Sequence, residues 1–399
     1  MNTYSHSRFR PYFVLLLVVF MLIPLCGRAQ EMASTRDSVD RDAPDFVTVS
    51  LLMASPADVL YSCLGHACLR MQCPTFGLDN CYSYEGERVQ DKVLTFFAGR
   101  LRMGMFSVKT EEFFAEYSKD NRGVVEYELN LPIATKRRMW QLLDQRVAEG
   151  AELPYDYLER GCAQSTLQVI LEAASGENVD FGVWPDKYNR TPREIVSDNL
   201  DNYPWTNFLL YAIVGTACDK DVTNQEKVVI PADLVEVLQQ LKIDGQSVIT
   251  SQPVERVKDT QNVQPSILRP IHIGVAFLVL AVIGLFACGR IIDGLLLAVQ
   301  FAISVVIAYL YGFSKLPNTE WTWLVVPFNL LPFVLWRWRK YWSLGYASVL
   351  VLWALAMCLY PHQLTNPTYV VFALALAITY AKQDTYLLGK RFRFGKRVA

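Results

Sequence analysis

One imidazole and one thiol mark where this chain could do chemistry. The chain has four histidines in 399 residues. His6 lies in an N-terminal leader, His272 opens an apolar run and His362 lies between two others, so His66 is the sole imidazole of the polar block between them. Proton transfer near neutral pH there falls to His66, or to a carboxylate or tyrosine with a shifted pKa. His66 stands in Tyr61-Ser62-Cys63-Leu64-Gly65-His66-Ala67-Cys68-Leu69-Arg70. Gly65 permits a sharp turn, and Ala67, Leu69 and Met71 then alternate with His66, Cys68 and Arg70, which predicts a strand. Residues 81–85, after a turn around 77–80, predict a second strand, so His66 is expected at the start of a hairpin.

The thiol is Cys162, in Pro154-Tyr155-Asp156-Tyr157-Leu158-Glu159-Arg160-Gly161-Cys162-Ala163-Gln164-Ser165. Leu167, Ile170, Leu171 and Ala174 recur at helical spacing, which places Cys162 in the first turn of a helix, just after a glycine-containing loop. A helix N-terminus lowers a thiol pKa from its free value of about 8.5, and its unpaired N–H groups can bind a developing oxyanion. Arg160 adds positive charge, and Arg160, Gly161 and Gln164 are the candidate substrate-binding residues. Each element also has a bland reading: a structural histidine, and a cysteine that is a disulfide partner or a small buried hydrophobe. Together, a thiol at a helix start and a histidine on a strand make a nucleophile–base pair. Ser83 and Tyr84, on the neighbouring strand, are the candidates for orienting the imidazole, so the expected catalytic set is Cys162, His66, Tyr84 and Ser83.

The order of the pair, histidine before cysteine, is the reverse of papain and is similar to the circularly permuted papain-like enzymes, some of which are lipid acyltransferases. Ser62-x-x-Gly65-His66-Ala67-x-Leu69-Arg70 resembles the opening motif of the Lnb-type N-terminal periplasmic domain of Bacteroidota. The stretch Tyr82-Ser83-Tyr84, the segment from Phe106-Ser107-Val108 to Arg122-Gly123-Val124, and Tyr155-Asp156-Tyr157-x-x-x-Gly161-Cys162-Ala163 resemble later motifs of that family. Ser83 and Gly161 each stand where the family has Asn. The resemblance covers roughly 47–242. It implies an α+β permuted papain-like (NlpC/P60-like) periplasmic domain and a lipoprotein N-acyltransferase. Such an enzyme passes an acyl chain from a phospholipid, through a thioester on Cys162, to the α-amino group of a lipoprotein's diacylglyceryl cysteine, without a cofactor. A cell-wall peptidase or amidase with the same pair, and a non-enzymatic envelope assembly factor, are the alternatives.

The elements that must position this pair fall into two blocks. Charged residues are 19% of the chain, against about 25% in a typical soluble protein, and the deficit is concentrated in 271–381. Residues 1–29 read as a signal peptide: Arg8 and Arg10, an apolar run at 13–25, Pro24, and small residues at Gly27 and Ala29. Residues 30–243 read as the periplasmic domain, 244–268 as a polar linker, 269–382 as an all-α transmembrane bundle of about five helices, and 383–399 as a basic cytoplasmic tail. The five apolar runs are 271–288, 292–312, 321–336, 344–360 and 369–381. With the first block outside, Arg290, then Arg337, Arg339 and Lys340, then Lys390, Arg391, Arg393, Lys396 and Arg397 all fall on the cytoplasmic side of the inner membrane, which is the positive-inside asymmetry. No charge is expected in mid-helix, which argues against a transport path. The formal net charge of −1 gives no reason to expect nucleic acid. Cys63, Cys68, Cys73, Cys81, Cys162 and Cys218 lie in the exported block, where close pairs can be disulfides; Cys73 and Cys81 are placed to close a hairpin. No CxxC pattern points to a metal.

Overall fold

The computed structural model describes residues 40–395, except 41, 44, 58–61, 87–92, 157–159, 183–189, 214–215, 223–227, 262–265, 316–326, 336–337 and 360–365. The expected signal peptide and residues 321–326 and 336 of the third apolar run lie outside the described residues.

Alternating apolar and small residues in the N-terminal block form strands, of which the central β1 and β2 are buried on both faces. These are β1 (Thr48–Ala54), β2 (His66–Cys73), β3 (Leu78–Gly86), β4 (Arg102–Lys109), β5 (Val124–Glu128) and β6 (Leu153–Pro154). Short strands β7 (Val179–Asp180), β8 (Lys242–Ile243) and β9 (Gln246–Ser247) make a separate three-stranded sheet, and β10 (Val254–Val257) returns to the main one. The main sheet is antiparallel and seven-stranded, in the order β10-β5-β1-β2-β3-β4-β6. The helices of this block are α1 (Val93–Phe97), α2 (Thr110–Lys119), α3 (Ile133–Glu149), α4 (Cys162–Ala173), α5 (Pro192–Asp198), α6 (Pro204–Ile213) and α7 (Pro231–Gln240).

The period-two alternation assigns each face of the sheet to a layer. Val49, Leu51, Ala67, Leu69, Met71 and Cys73 pack with Met139 and Leu143 of α3, Leu167 and Ile170 of α4 and Leu234 of α7. On the opposite face Leu52, Ala54, Cys68, Cys81 and Val124 pack against Phe113 of α2. Arg70, on this second face, donates to Asp79 at 2.7 and 2.8 Å and to the buried Glu126 at 3.0 and 3.1 Å. Arg256 of β10 also donates to Glu126, so one carboxylate joins three strands.

Two expectations change here. Residues 244–268 are not only a linker: β10 pairs with β5, with a bulge between Glu255 and Val257, and the Thr260 N–H donates to the Asn121 carbonyl at 3.1 Å. Gly123 is needed at this junction, since a Cβ there would lie 2.8 Å from Asp259. Cys73 and Cys81 do not close the hairpin: Cys73 pairs with Leu78 and Cys81 with Arg70, and the two belong to opposite faces of the sheet. Cys81 lies instead beside Thr110, at 3.4 Å.

The C-terminal block is helical: α8 (Pro270–Phe286), α9 (Gly289–Phe313), α10 (Leu331–Val334), α11 (Arg339–Leu359) and α12 (Pro367–Gly395). Among the described residues two helical segments, Gly289–Phe313 and Trp342–Leu359, are long and apolar enough to cross a membrane, and Pro270–Phe286 is a shorter apolar helix. Of the five expected runs, the third is represented by the four-residue α10, and the fifth extends well past its expected end, because α12 takes in most of the segment read as a tail. Charge does enter the helices. Asp293 of α9 and Lys382 of α12, both buried, pair at 2.5 Å, with Lys382 also donating to the Ala281 carbonyl. Each sits at the end of an apolar run, where composition alone assigns it to a flanking loop.

Candidate active site

Backbone geometry places the imidazole first. Gly65 has φ +86°, a left-handed conformation that only glycine adopts readily. A Cβ there would lie 2.7 Å from the Ala54 carbonyl, so the turn into β2 requires glycine on both counts. His66 then starts β2 opposite Ala54. The β2–β3 ladder ends at Leu69↔Tyr82, whereas β3 stays paired with β4 as far as Gly86↔Met103. The two strands therefore part beyond Leu69, and residues 66–68 pair only with β1.

The N-terminus of α4 meets this opening. Gly161 is its N-cap, with φ −71° and ψ 165°, and no side chain caps the helix. Cys162 is half-buried and is not disulfide-bonded. Burial pushes its thiol pKa up, but the adjacent His66, through its charge and a hydrogen bond, together with the backbone N–H groups of Ala67 and Ala163, outweighs burial and holds it below the ordinary thiol value. The thiol and imidazole are thus in hydrogen-bond contact. The same two N–H groups, one from the parted strand and one from the helix start, are directed at the sulfur.

Ser83 and Tyr84 alternate on β3 and so face opposite ways. The buried Ser83 lies 2.6 Å from His66 Nε2. With Nε2 held by that hydroxyl, Nδ1 is left for the thiol. In the neutral ring, an Nε2–H donating to Ser83 presents Nδ1 as the proton acceptor. Glu85, on the Ser83 side of the strand, has Oε1 3.9 Å from Nε2 and is half exposed. Tyr84 is on the core side, where its hydroxyl accepts from Arg146 at 2.8 Å. It does not reach the imidazole.

The expected substrate-binding residues are spread out. Gly161 is at the helix tip beside Cys162. Arg160 precedes it, and its backbone N–H donates to the Asp156 carbonyl at 2.8 Å. Gln164 turns the other way, is buried, and accepts from the Val228 N–H at 2.7 Å, anchoring a loop. Tyr155 lies near the thiol. Burial first, then the charge of Cys162, raises its hydroxyl pKa, and its ring stands 5.9 Å from that of Phe96.

The N–H donors Ala67 and Ala163 carry no side-chain signature, so residue type alone does not reveal them. Helix α6 is also unannounced: its ten residues are too few to cross a membrane. Its Leu210 packs with Cys63, Leu64 and Tyr203, just before Gly65-His66, while Phe208 and Tyr211 pack on the C-terminal helices. The Tyr369 hydroxyl donates to the Phe208 carbonyl, and Trp205 Nε1 donates to the Leu268 carbonyl at 2.7 Å. On another side, the Lys315 N–H, just after α9, donates to the Ala98 carbonyl beside Phe96 at 2.9 Å. The thiol site is therefore flanked by two contacts with the C-terminal helical block.

Fold and site together define an α/β domain with an activated thiol at a helix N-terminus, paired with a strand imidazole, on a base of apolar helices. Residues 37–190 match the family described as the Lnb N-terminal periplasmic domain. The similarity is to this domain, over those residues of the exported block. No curated protein and no solved structure matches the chain.

Proposed function

We propose that the protein is a membrane-anchored thiol acyltransferase that moves an acyl chain from a phospholipid to the α-amino group of a lipoprotein's diacylglyceryl cysteine. The observation that carries the reading is the Cys162 thiol, drawn below its ordinary pKa by His66 and two backbone N–H groups. The periplasmic-domain family and the long apolar helices support it, since both substrates are themselves membrane-bound.

His66 Nδ1 takes the proton of Cys162, and the thiolate attacks the ester carbonyl of the phospholipid. The Ala67 and Ala163 N–H groups stabilise the oxyanion. As the tetrahedral intermediate collapses, the C–O bond breaks, His66 returns the proton to the leaving lysophospholipid hydroxyl, and a thioester remains on Cys162. The lipoprotein amine then attacks the thioester. His66 takes the ammonium proton and delivers it to the departing sulfur, forming the amide and restoring the thiol. Ser83 orients the imidazole throughout. The basic residues after the first, third and fifth apolar runs support a cytoplasmic C-terminus and a thiol domain on the outer side of the inner membrane.

The test uses the full chain in vesicles containing a phospholipid with labelled acyl chains. A hydroxylamine-sensitive label on Cys162 is expected, and Cys162→Ser should abolish it. If Cys162→Ser or His66→Ala still restores lipoprotein N-acylation to cells lacking it, the mechanism is wrong.

A further inference from the structure

A cavity of about 200 Å³ lies between α6 and the C-terminal helices. Trp205 and Phe208 of α6 line one wall, and Phe277, Val299, Ile303 and Phe372 of α8, α9 and α12 line the others. No polar atom faces it. An apolar void of this size destabilises a packed interface if left empty, and it is too apolar to hold water. It is also too narrow for a helix, which needs a diameter of about 10 Å. One wall, α9, is among the helices able to cross a membrane. Trp205 and Leu209 on α6 remain exposed apolar side chains beside the cavity. Such a site suits a hydrocarbon chain.

We infer that this cavity holds one hydrocarbon chain of a membrane phospholipid and presents the donor to the thiol. The inference rests on the acyl-transfer reading for the identity of the chain as donor. Helix α6 is what couples the two places: Phe208 forms the cavity wall, and Leu210, two residues on, packs against Cys63 and Leu64 at the turn into His66. A chain held there lies about one helix width from the catalytic turn. The lipid's ester group, at the end of that chain, then lies near Trp205 and Pro270, which line the cavity at the start of α8.

The experiment uses the full chain in phosphatidylethanolamine vesicles doped with a phospholipid that carries a diazirine in one acyl chain. After illumination, labelled peptides are mapped by mass spectrometry, and the hydroxylamine-sensitive label on Cys162 is read in the same samples. Labels should concentrate on Phe208, Ile303 and Phe372. Val299→Trp, which fills the cavity, should reduce them about five-fold or more. The inference is overturned if labels spread evenly over lipid-facing residues such as Val306 and Leu352, or if the cavity residues cross-link to a second copy of the chain. The wild-type map decides this even if Val299→Trp does not fold. Cavity labelling without any Cys162 thioester removes the acyl-transfer reading and leaves the lipid site standing. A thioester without cavity labelling does the reverse.

Discussion

Replacing Ser83 with alanine tests whether the imidazole works through Nδ1 while Nε2 is held. The change removes a hydrogen bond of 2.6 Å between two groups that are largely buried. A hydrogen bond to a charged group contributes about 1.5–3 kcal/mol, and one between neutral groups about 0.5–1.5 kcal/mol. The bond therefore favours the imidazolium–thiolate pair over the neutral pair by about 1–1.5 kcal/mol, which is a five- to ten-fold change in the thiolate population. Glu85 stands 3.9 Å from the same nitrogen and can take over the contact, so the comparison is made in a Glu85→Gln background. The assay is the pH dependence of Cys162 alkylation by iodoacetamide, read by peptide mass spectrometry because Cys288 and Cys358 are exposed as well. Alkylation follows the thiolate and so rises with pH. In the parent its midpoint lies below that of an ordinary thiol, because His66 and the two N–H groups outweigh burial. Ser83→Ala should shift the curve to higher pH, with a five- to ten-fold loss of rate on its rising limb. His66→Ala should shift it further, since burial then acts with less opposition. A Ser83→Ala profile that overlays the parent, with His66→Ala still shifted, would refute the role given to Ser83.

Gly65→Ala should both destabilise the domain by at least about 1–2 kcal/mol and suppress Cys162 alkylation, because it combines a left-handed backbone with a Cβ 2.7 Å from a carbonyl; thermal unfolding and alkylation report the two effects. Gly161→Asn should be tolerated and raise stability by a few tenths of a kcal/mol, since the backbone there is ordinary, nothing lies within 4 Å of a new Cβ, and α4 lacks a side-chain cap. Asp293→Leu alone strands a buried lysine and should cost about 3–5 kcal/mol, whereas Asp293→Leu with Lys382→Leu should recover most of that loss, as judged by yield and thermal unfolding of detergent-solubilised protein.

His66 and Cys162 could be found from the chain because each carries its own local signature: a glycine turn before a two-residue alternation, and a glycine loop before a 3.6-residue one. Which β3 residue serves the imidazole could not. Alternation says only that Ser83 and Tyr84 face opposite ways, and the choice between them depends on the register of β2 with β3. The same register separates Cys73 from Cys81: the hairpin pairs 73 with 78, so an odd step from 78 to 81 crosses the sheet. Strand β10 was hidden because its four residues are mostly exposed and carry no apolar pattern. The Asp293–Lys382 pair was hidden because both residues end apolar runs, and only the packing of α9 with α12 joins them. Helix α6 is short and apolar, and its role shows only with the C-terminal helices in place beside it.

The parting of β2 from β3 bears on when the thiol becomes reactive. The main influences that lower its pKa, apart from Ala163, come from residues 66 and 67, nearly a hundred positions earlier in the chain. Before the sheet forms and α4 docks on it, Cys162 is chemically one among the chain's nine cysteines. A chain still unfolded after crossing the membrane therefore carries no privileged sulfur for oxidants or stray electrophiles to find. Reactivity arises only once the tertiary structure is complete, and in this respect the nucleophile is made by folding.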